Sequence, residues 1–259
     1  MRHCKIKQKP GKEKIRNMAA LASLDLERHG SLDVFCVVNG PIQTNTYFAV
    51  SGSEAVVIDP AWDGERLARD FQAKHPDIAI KAIICTHGHA DHIGGVAGMR
   101  RVLGEGVPFL ISEADASFMA PAIESMKAMW GFEFEMPPAP DRLLREGDTV
   151  SFGDVTLQVF ETPGHTPGGI VLFCAAKMGD VAFVGDTLFP GAHGRTDLEG
   201  GDEAAIIRSL GKMAHLMPDD TLCLIGHNET TTIAREKAGN LFMRRGMRHF
   251  RSCANGEEL

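Results

Sequence analysis

Short apolar runs alternate with amphipathic segments along most of this chain. Three runs over 33–59 (DVFCVV, NTYFAV and AVVID) are separated by Gly- and Asn-containing turns, which is typical of short strands. GERLARDFQAK over 64–74 has apolar residues at helical spacing and ends just before Pro76. Strands and helices alternate over the first half and again at the end, with a β meander between them. The pattern therefore predicts an α/β protein.

The same periodicities predict the remaining elements. We expect strands at 80–85, 107–112, 149–152, 155–162, 169–175, 180–186 and 221–226. We expect helices at 94–104, 113–131, 202–216 and 230–246. The Met and aromatic residues between 118 and 134 are most simply core packing, and a roof over an active site is the alternative interpretation.

Charge separates a short N-terminal tail from the rest of the chain. Residues 1–17 contain seven Lys or Arg, one Glu and almost no apolar residue, which predicts a disordered basic tail. We expect 18–259 to form a single domain with a helical insert at about 113–147.

Composition and charge exclude several classes of protein. With 44% apolar and 24% charged residues, the chain is not collagen-like, coiled-coil or largely disordered. No apolar run approaches the ~20 residues that span a bilayer, so we expect no membrane partner. The formal charge of −7 argues against nucleic acid as a partner. The six cysteines form no C-x-x-C pair, and four lie in or beside apolar runs, which predicts reduced thiols and a cytoplasmic location.

The densest group of ionisable residues follows the strand at 80–85. The segment THGHADHIGG contains His87, His89, Asp91 and His92 within six residues. Alternate residues of an extended turn point the same way, so His87 and His89 can converge on one cation. Asp91 and His92 point away from that pair and can serve a second cation. Four such residues near a core are costly unless they bind something, so metal binding is the favoured interpretation.

Three further candidates each follow an apolar strand. They are His165, Asp186 and His227, and they bring the candidate ligands to seven. The set contains no Cys, so zinc, iron and manganese all suit it, zinc being the expected metal. Asp186 is the best candidate to bridge two ions. Two ions roughly 3.5–4 Å apart hold a hydroxide and polarise an acyl or phosphoryl oxygen, which predicts hydrolytic chemistry.

In this order the seven residues resemble the metallo-β-lactamase superfamily over about 33–245. The resemblance implies an αββα four-layer sandwich with the metal site at one edge of the two sheets. It also implies which residues share each of two divalent ions. The implied first site is His87, His89 and His165; the second is Asp91, His92 and His227, with Asp186 between them.

Finer motifs resemble the hydroxyacylglutathione hydrolase (glyoxalase II)-like group, and especially its short bacterial members. They are GDTLF over 185–189, GRTD over 194–197 and the segment after His227. The resemblance implies a metal-dependent hydrolase of small acyl thioesters, with Asp91 and Asp186 catalytic. Glyoxalase II itself carries a further C-terminal helical domain, and this chain ends soon after His227. We therefore expect glutathione thioesters to be hydrolysed with a high KM.

Three residues near Asp186 are candidate substrate contacts. Arg195 can grip a substrate carboxylate with its guanidinium, and a structural network with Asp197 is the equally weighted alternative. His193 is a candidate proton shuttle or substrate contact, and an exposed loop histidine is the alternative interpretation.

Other functions of the same fold remain open at this point. A mononuclear-iron persulfide dioxygenase shares the motifs around His87 and Arg195. A nuclease or phosphodiesterase would need a basic surface, whereas the chain beyond its tail is acidic. A β-lactamase normally has Cys where Asp186 stands. A binding protein without catalysis fits poorly, because every ligand position is filled.

Overall fold

The computed structural model describes residues 22–24, 32–175 and 179–254 of the chain. The predicted basic tail at 1–17 lies outside these residues. The described strands are β1 (Ala22–Leu24), β2 (Asp33–Asn39), β3 (Thr44–Ser51), β4 (Glu54–Ile58), β5 (Ala79–Ile84), β6 (Phe109–Ser112), β7 (Arg142–Leu144), β8 (Thr149–Phe152), β9 (Val155–Glu161), β10 (Ile170–Cys174), β11 (Val181–Gly185), β12 (Leu188–Phe189), β13 (Ala192–His193), β14 (Leu222–Ile225) and β15 (Thr231–Thr232). The described helices are α1 (Gly64–Lys74), α2 (Ala90–Ile93), α3 (Val96–Leu103), α4 (Glu113–Trp130), α5 (Glu203–Leu216), α6 (Ile233–Gly239) and α7 (Leu241–Ala254).

These strands form two mixed sheets. The first sheet has the order β1-β2-β3-β4-β5-β6-β7; its pairs are antiparallel up to β4 and parallel from β4 to β7. The second has the order β15-β14-β11-β10-β9-β8, in which only β14 and β11 are parallel. β12 and β13 form a separate hairpin.

Alternation along the strands builds a four-layer sandwich. In β3, Tyr47 and Ala49 belong to the apolar core between the two sheets, whereas Phe48 and Val50 face α1 and α3 on the outside of the first sheet. The second sheet alternates in the same way, with its outer side packed against α5 and α7. Side chains of a strand point alternately to opposite faces, so two-sided burial gives continuous apolar runs. The predicted αββα sandwich is confirmed.

Two predicted segments differ from the structure. Within the predicted helical insert at 113–147, only Glu113–Trp130 is helical, and Arg142–Leu144 pairs with β6 as an edge strand. The predicted helix at 230–246 is two helices with a break at Asn240. No helix of the described residues is long and apolar enough to cross a membrane.

Candidate metal centre

The predicted ligands meet at one edge of the sandwich, where strands end. They are His87, His89, Asp91 and His92 after β5, His165 after β9, Asp186 after β11, and His227 after β14. The two sheets touch at this edge, because Thr44 of β3 forms a bridge with His227. The amide of Asn45 also donates to the carbonyl of Gly226 at 2.7 Å. The fold thus brings all seven residues into one cluster.

Three groups of three potential ligands occur among the described residues; two consist of predicted ligands only, and the third joins Asp59 to His87 and His92. The ligand atoms of His87, His89 and His165 lie within 4.8 Å of one another, as do those of the second group. In the first group, His89 Nδ1 lies 2.9 Å from His165 Nε2. The second group consists of Asp91, His92 and His227.

Asp186 lies between the two groups. Its Oδ2 is 3.5 Å from Nε2 of His165 in the first group and 3.5 Å from Nε2 of His227 in the second. Its Oδ1 is 3.5 Å from Nε2 of His92. Asp186 is therefore placed to contact ions in both groups, as expected of a bridging carboxylate.

Oxygen acceptors fix the orientation of three ligand histidines. The Nδ1–H of His92 donates to Asp59 Oδ2 at 3.0 Å, and that of His165 donates to the carbonyl of Arg195 at 2.7 Å. His87 Nδ1 lies 3.1 Å from the hydroxyl oxygen of Thr86, whose own proton goes to Asp59. With the proton on Nδ1 of each neutral ring, Nε2 is the nitrogen that can bind a cation. Such partners select the tautomer that binds a metal.

The cluster leaves polar atoms buried without hydrogen bonds. His87 Nε2 and Asp186 Oδ1 have none, and each lies inside the cluster. An unsatisfied buried polar atom costs about 1–3 kcal/mol, whereas a cation would coordinate both. Gly226 keeps this space open, because a Cβ there would lie 2.0 Å from Asp186 Oδ1 and 2.7 Å from His92 Cε1. The donor set and the space around it both fit metal ions.

Burial and neighbouring charges shift the pKa values of histidines in opposite directions in the two groups. Burial, together with the neighbouring His165, lowers the pKa of His89 to about 3, and burial also lowers the pKa of His87. These rings are held neutral, which is the form that binds a metal. Burial opposes protonation of His92 as well, but Asp91, Asp186 and Asp59 raise its pKa to about 10. The second group is therefore the stronger attractor of positive charge.

Asp59 and Asp115 are functional residues that the sequence analysis missed. Asp59 follows β4 and accepts from the amide and hydroxyl of Thr86 at 2.7 Å each, besides His92. The sequence could have indicated Asp59, because it directly follows an apolar strand and the predicted ligands also lie after apolar strands. Asp115 lies in the first turn of α4, where an acidic residue is an ordinary feature of helices and carries no such signal.

Asp115 connects the two loops that carry the first group. Its Oδ2 accepts from the amide of Gly88 and the hydroxyl of Thr166, both at 2.7 Å, and its Oδ1 accepts from the amide of Gly168 at 2.6 Å. Burial raises its pKa, and hydrogen bonds from these three partners act in the opposite direction. The carboxylate thus holds the loop of His87 and His89 against the loop of His165.

A second buried network supports the hairpin β12–β13. Glu236 accepts from the amide of Gly191 at 2.8 Å and from the hydroxyl of Thr231 at 2.5 Å. Asn240 donates to the carbonyl of Ala192 at 2.9 Å, and its Oδ1 accepts from the first amides of α7. The hairpin leads directly into 194–195, which packs against His165. The network therefore positions a ligand histidine from a distance.

An open cavity with about 860 Å³ of free space lies over the cluster. Its described floor is formed by ligand residues, namely His89, Asp91, His165, Asp186 and His227. One face of α4 forms a wall, and Ile42, Arg195, Leu198 and Glu199 complete the described lining. A substrate in this cavity would touch both halves of the cluster.

The predicted substrate residues occupy different places. Arg195 lines the cavity, but its Nε and Nη2 each donate to Asp197 at 2.7 Å, and Asp197 is not part of the described lining. This pair holds the pKa of Asp197 at about 2. The His193 ring packs edge-on against Phe242 with centroids 4.4 Å apart, outside the described lining. Substrate contacts by these three residues remain predictions.

Comparison with known proteins identifies the family. The model of the metallo-β-lactamase superfamily matches residues 39–227. The chain belongs to the metallo-β-lactamase superfamily. The match spans every residue of the cluster, from His87 to His227. The family and the fold inferred from the sequence are thereby confirmed, and metal-dependent hydrolases are typical of the superfamily.

Several curated relatives of this superfamily cover most of the chain. Probable metallo-hydrolase YqgX of Bacillus subtilis is 31% identical over 205 residues, which are 79% of this chain and 94% of that protein. Hydroxyacylglutathione hydrolase GloC of Haemophilus influenzae is 32% identical over 190 residues, which are 73% of this chain and 87% of that protein.

Solved structures of the superfamily carry more varied names. BLEG-1 B3 metallo-β-lactamase is 33% identical with a TM-score of 0.72, over 81% of this chain and 99% of that one. TTHA1623 in a di-iron-bound form is 36% identical with a TM-score of 0.71, over 80% and 99%. ETHE1 from Myxococcus xanthus is 27% identical with a TM-score of 0.64, over 84% and 89%. These neighbours agree with the family assignment. Because their names differ, they do not identify the substrate of this chain.

Proposed function

We propose that this protein holds two divalent metal ions and hydrolyses small acyl thioesters. The observation that carries the proposal is the pair of three-ligand groups with Asp186 in contact distance of both. Hydroxyacylglutathione hydrolase GloC, at 32% identity, supports a 2-hydroxyacyl thioester as the type of substrate. Zinc is the expected metal, and the di-iron form of TTHA1623 supports iron as the alternative.

Each of the two groups would hold one metal ion through the unprotonated nitrogens of its histidines. His87, His89 and His165 would hold the first ion, and Asp91, His92 and His227 would hold the second, with Asp186 reaching both. When bound, two such ions polarise an acyl oxygen and supply a nucleophilic hydroxide at neutral pH.

The chain's own residues prepare the reaction around that centre. Asp91 faces the cavity, and the hydroxyl of Thr44 donates to its Oδ2 at 3.2 Å, which restrains the carboxylate. Burial opposes ionisation of Asp91, but His92 and His227 lower its pKa, so the carboxylate would stay ionised and would accept a hydrogen bond from the attacking water and orient it. Hydrolysis consumes one water and yields a carboxylate and a thiol. A thiol with a pKa near 8.5 leaves readily as thiolate, so no general acid is required.

A persulfide dioxygenase is the second candidate, because ETHE1 shares the fold and 27% of the aligned residues. Such an enzyme needs one iron with open positions, for which a three-ligand group suffices. The hydrolase is favoured because this chain carries the complete second group and Asp186 as well.

Metal counting and paired activity assays test the proposal. We expect two ions per chain by elemental analysis, and release of one thiol per lactoylglutathione or acetyl thioester without oxygen uptake. Asp186→Asn serves as the inactive control. Nitrocefin is assayed in parallel, because one structural neighbour is a B3 metallo-β-lactamase. A maximum of one ion, with stoichiometric oxygen uptake on glutathione persulfide and no thioester hydrolysis, would overturn the proposal in favour of the dioxygenase.

A further inference from the structure

The cavity wall formed by α4 is almost entirely apolar. Its lining residues are Phe118, Pro121, Ala122, Ser125, Met126, Met129 and Trp130. Steps of three and four residues place them on one side of the helix, and six of the seven are apolar. The adjoining side of α4 is also apolar, because Met119 and Ile123 are buried in the core outside the first sheet. Core packing explains the second side and, on the first side, Met126; the other residues of the first side are not part of that core.

This apolar wall runs from the ligand cluster to the mouth of the cavity. At its inner end the rings of Phe118 and His89 lie 5.7 Å apart, measured between centroids. Trp130 ends the helix about 18 Å further along the axis, at a rise of about 1.5 Å per residue. Met129 and Trp130 are 50% and 60% exposed. Large apolar side chains that remain exposed beside a cavity are typical of a binding surface.

The cavity offers little to a strongly charged substrate. Within the described lining, Arg195 is the one Lys or Arg side chain, and both its Nε and Nη2 already bind the carboxylate of Asp197. Glu199 adds a negative charge to the same side. Among these residues the two carboxylates of glutathione would therefore find a single Arg, which already pairs with Asp197. An uncharged, apolar group would instead bury area against α4.

We propose that the preferred substrates are thioesters whose acyl chain is apolar and lies along the α4 wall, from Phe118 towards Trp130. This inference rests on the proposed thioester hydrolysis and specifies its substrate class. The acyl part is assigned to the wall because common cellular thiols are themselves polar or charged, which suits the solvent side of the cavity. The oxygen of one water forms a C–O bond to the acyl carbon and the C–S bond breaks. One proton of that water goes to the leaving thiolate, and the other passes to solvent as the fatty carboxylate is released.

A chain-length series tests the assignment directly. Acyl thioesters of N-acetylcysteamine, from acetyl to decanoyl, share one neutral thiol and differ only in the acyl chain. Burial of a methylene is worth up to about fourfold in affinity, so we expect kcat/KM to rise about two- to fourfold per methylene. The increase should level off for chains long enough to pass Trp130.

Two variants test whether the chain-length dependence arises from the α4 wall or from apolar surface elsewhere on the protein. In Met129→Ser/Trp130→Ser, both changes are at exposed positions of the last helical turn, so the fold is expected to persist. The ratio of decanoyl to butanoyl kcat/KM should fall at least about tenfold. The matched control is Leu216→Ser on α5, which is 45% exposed and not part of the cavity lining. It should leave the whole series unchanged.

Binding of S-alkyl-N-acetylcysteamine thioethers, which cannot be hydrolysed, distinguishes this inference from the proposed function. Tighter binding of longer alkyl chains without hydrolysis of any thioester would overturn the hydrolase and retain the apolar wall as a binding site. If all acyl lengths were hydrolysed equally and thioether binding did not depend on chain length, acyl binding along α4 would be excluded. The proposed hydrolase activity would still stand. Rates that depend on the thiol and not on the acyl chain would also exclude acyl binding along α4.

Discussion

At the scale of single residues, Asp59 sets the orientation of a ligand from behind the cluster. Its Oδ2 takes hydrogen bonds from both His92 Nδ1 and the Thr86 hydroxyl, and its Oδ1 takes one from the Thr86 amide. Asp59→Asn keeps the size and tolerates the local φ of 51°, but an amide NH₂ must face one of these donors. We expect metal affinity to fall about 10- to 100-fold. A titration against a chromophoric chelator measures this.

The control for Asp59→Asn is Asp70→Asn, an exposed change on α1. It removes the same charge away from the cluster and should leave metal affinity unaltered. Equal affinities for the two variants would contradict the role of Asp59.

For Asp186 we expect an effect on both ligand groups, because its two oxygens lie close to histidines of both. Asp186→Asn should reduce the number of bound ions and lower thioester turnover at least about 100-fold, since metal-centred stabilisation of the transition state is lost. The circular dichroism spectrum should be unchanged. Full turnover by this variant would exclude a bridging role.

At the scale of elements, one buried carboxylate joins a hairpin to two helices. Glu236→Gln retains the shape of the side chain, but it removes the negative charge that strengthens the hydrogen bonds from the amide of Gly191 and the hydroxyl of Thr231. We expect the free energy of unfolding to fall by about 1–3 kcal/mol, as measured by chemical denaturation. Glu203→Gln, an exposed change in the first turn of α5, is the matched control. Similar losses in both variants would argue against the network.

The same elements show what sequence periodicity can predict. α1 is found at its predicted bounds, Gly64–Lys74, because one apolar face and a clear stop define it locally. The break at Asn240 was not predicted, because apolar spacing continues across it. Asn240 interrupts the helix through contacts with Ala192 and Glu236, and the first of these partners is 48 residues away.

At the scale of the whole molecule, metal binding should stabilise the fold. The contact of His89 with His165 joins residues 76 apart, and that of His92 with His227 joins residues 135 apart. A ligand that binds only the folded state adds about 2.7 kcal/mol at 100 times its Kd. We expect Tm to fall when the metals are removed with a chelator and to recover on reloading. Identical unfolding curves with and without metal would contradict this.

The ligand cluster was predictable for a reason that applies to the whole sandwich. Each ligand lies in the loop or short helix that follows an apolar strand, and these strands end at a common edge of the sandwich. The cavity wall was not predictable in the same way, because α4 is apolar on both sides. Periodicity identified Met119 and Met126 alike as candidate core residues, and only the fold assigns Met119 to the core alone while Met126 also lines the cavity.

The division of each predicted ligand group between the two halves of the chain bears on the order of events during synthesis. His87 and His89 leave the ribosome well before His165, and Asp91 and His92 leave it well before His227. Each of these two groups therefore has two of its three members in the early half of the chain. It is complete only after the third member, in the late half, has been synthesised. Either of these two groups is incomplete until the second sheet has folded, whereas Asp59, His87 and His92, whose ligand atoms also lie within 4.8 Å of one another, all belong to the early half. A folding chain therefore gains its first possible cation contacts with the first sheet and completes the two predicted groups only with the second.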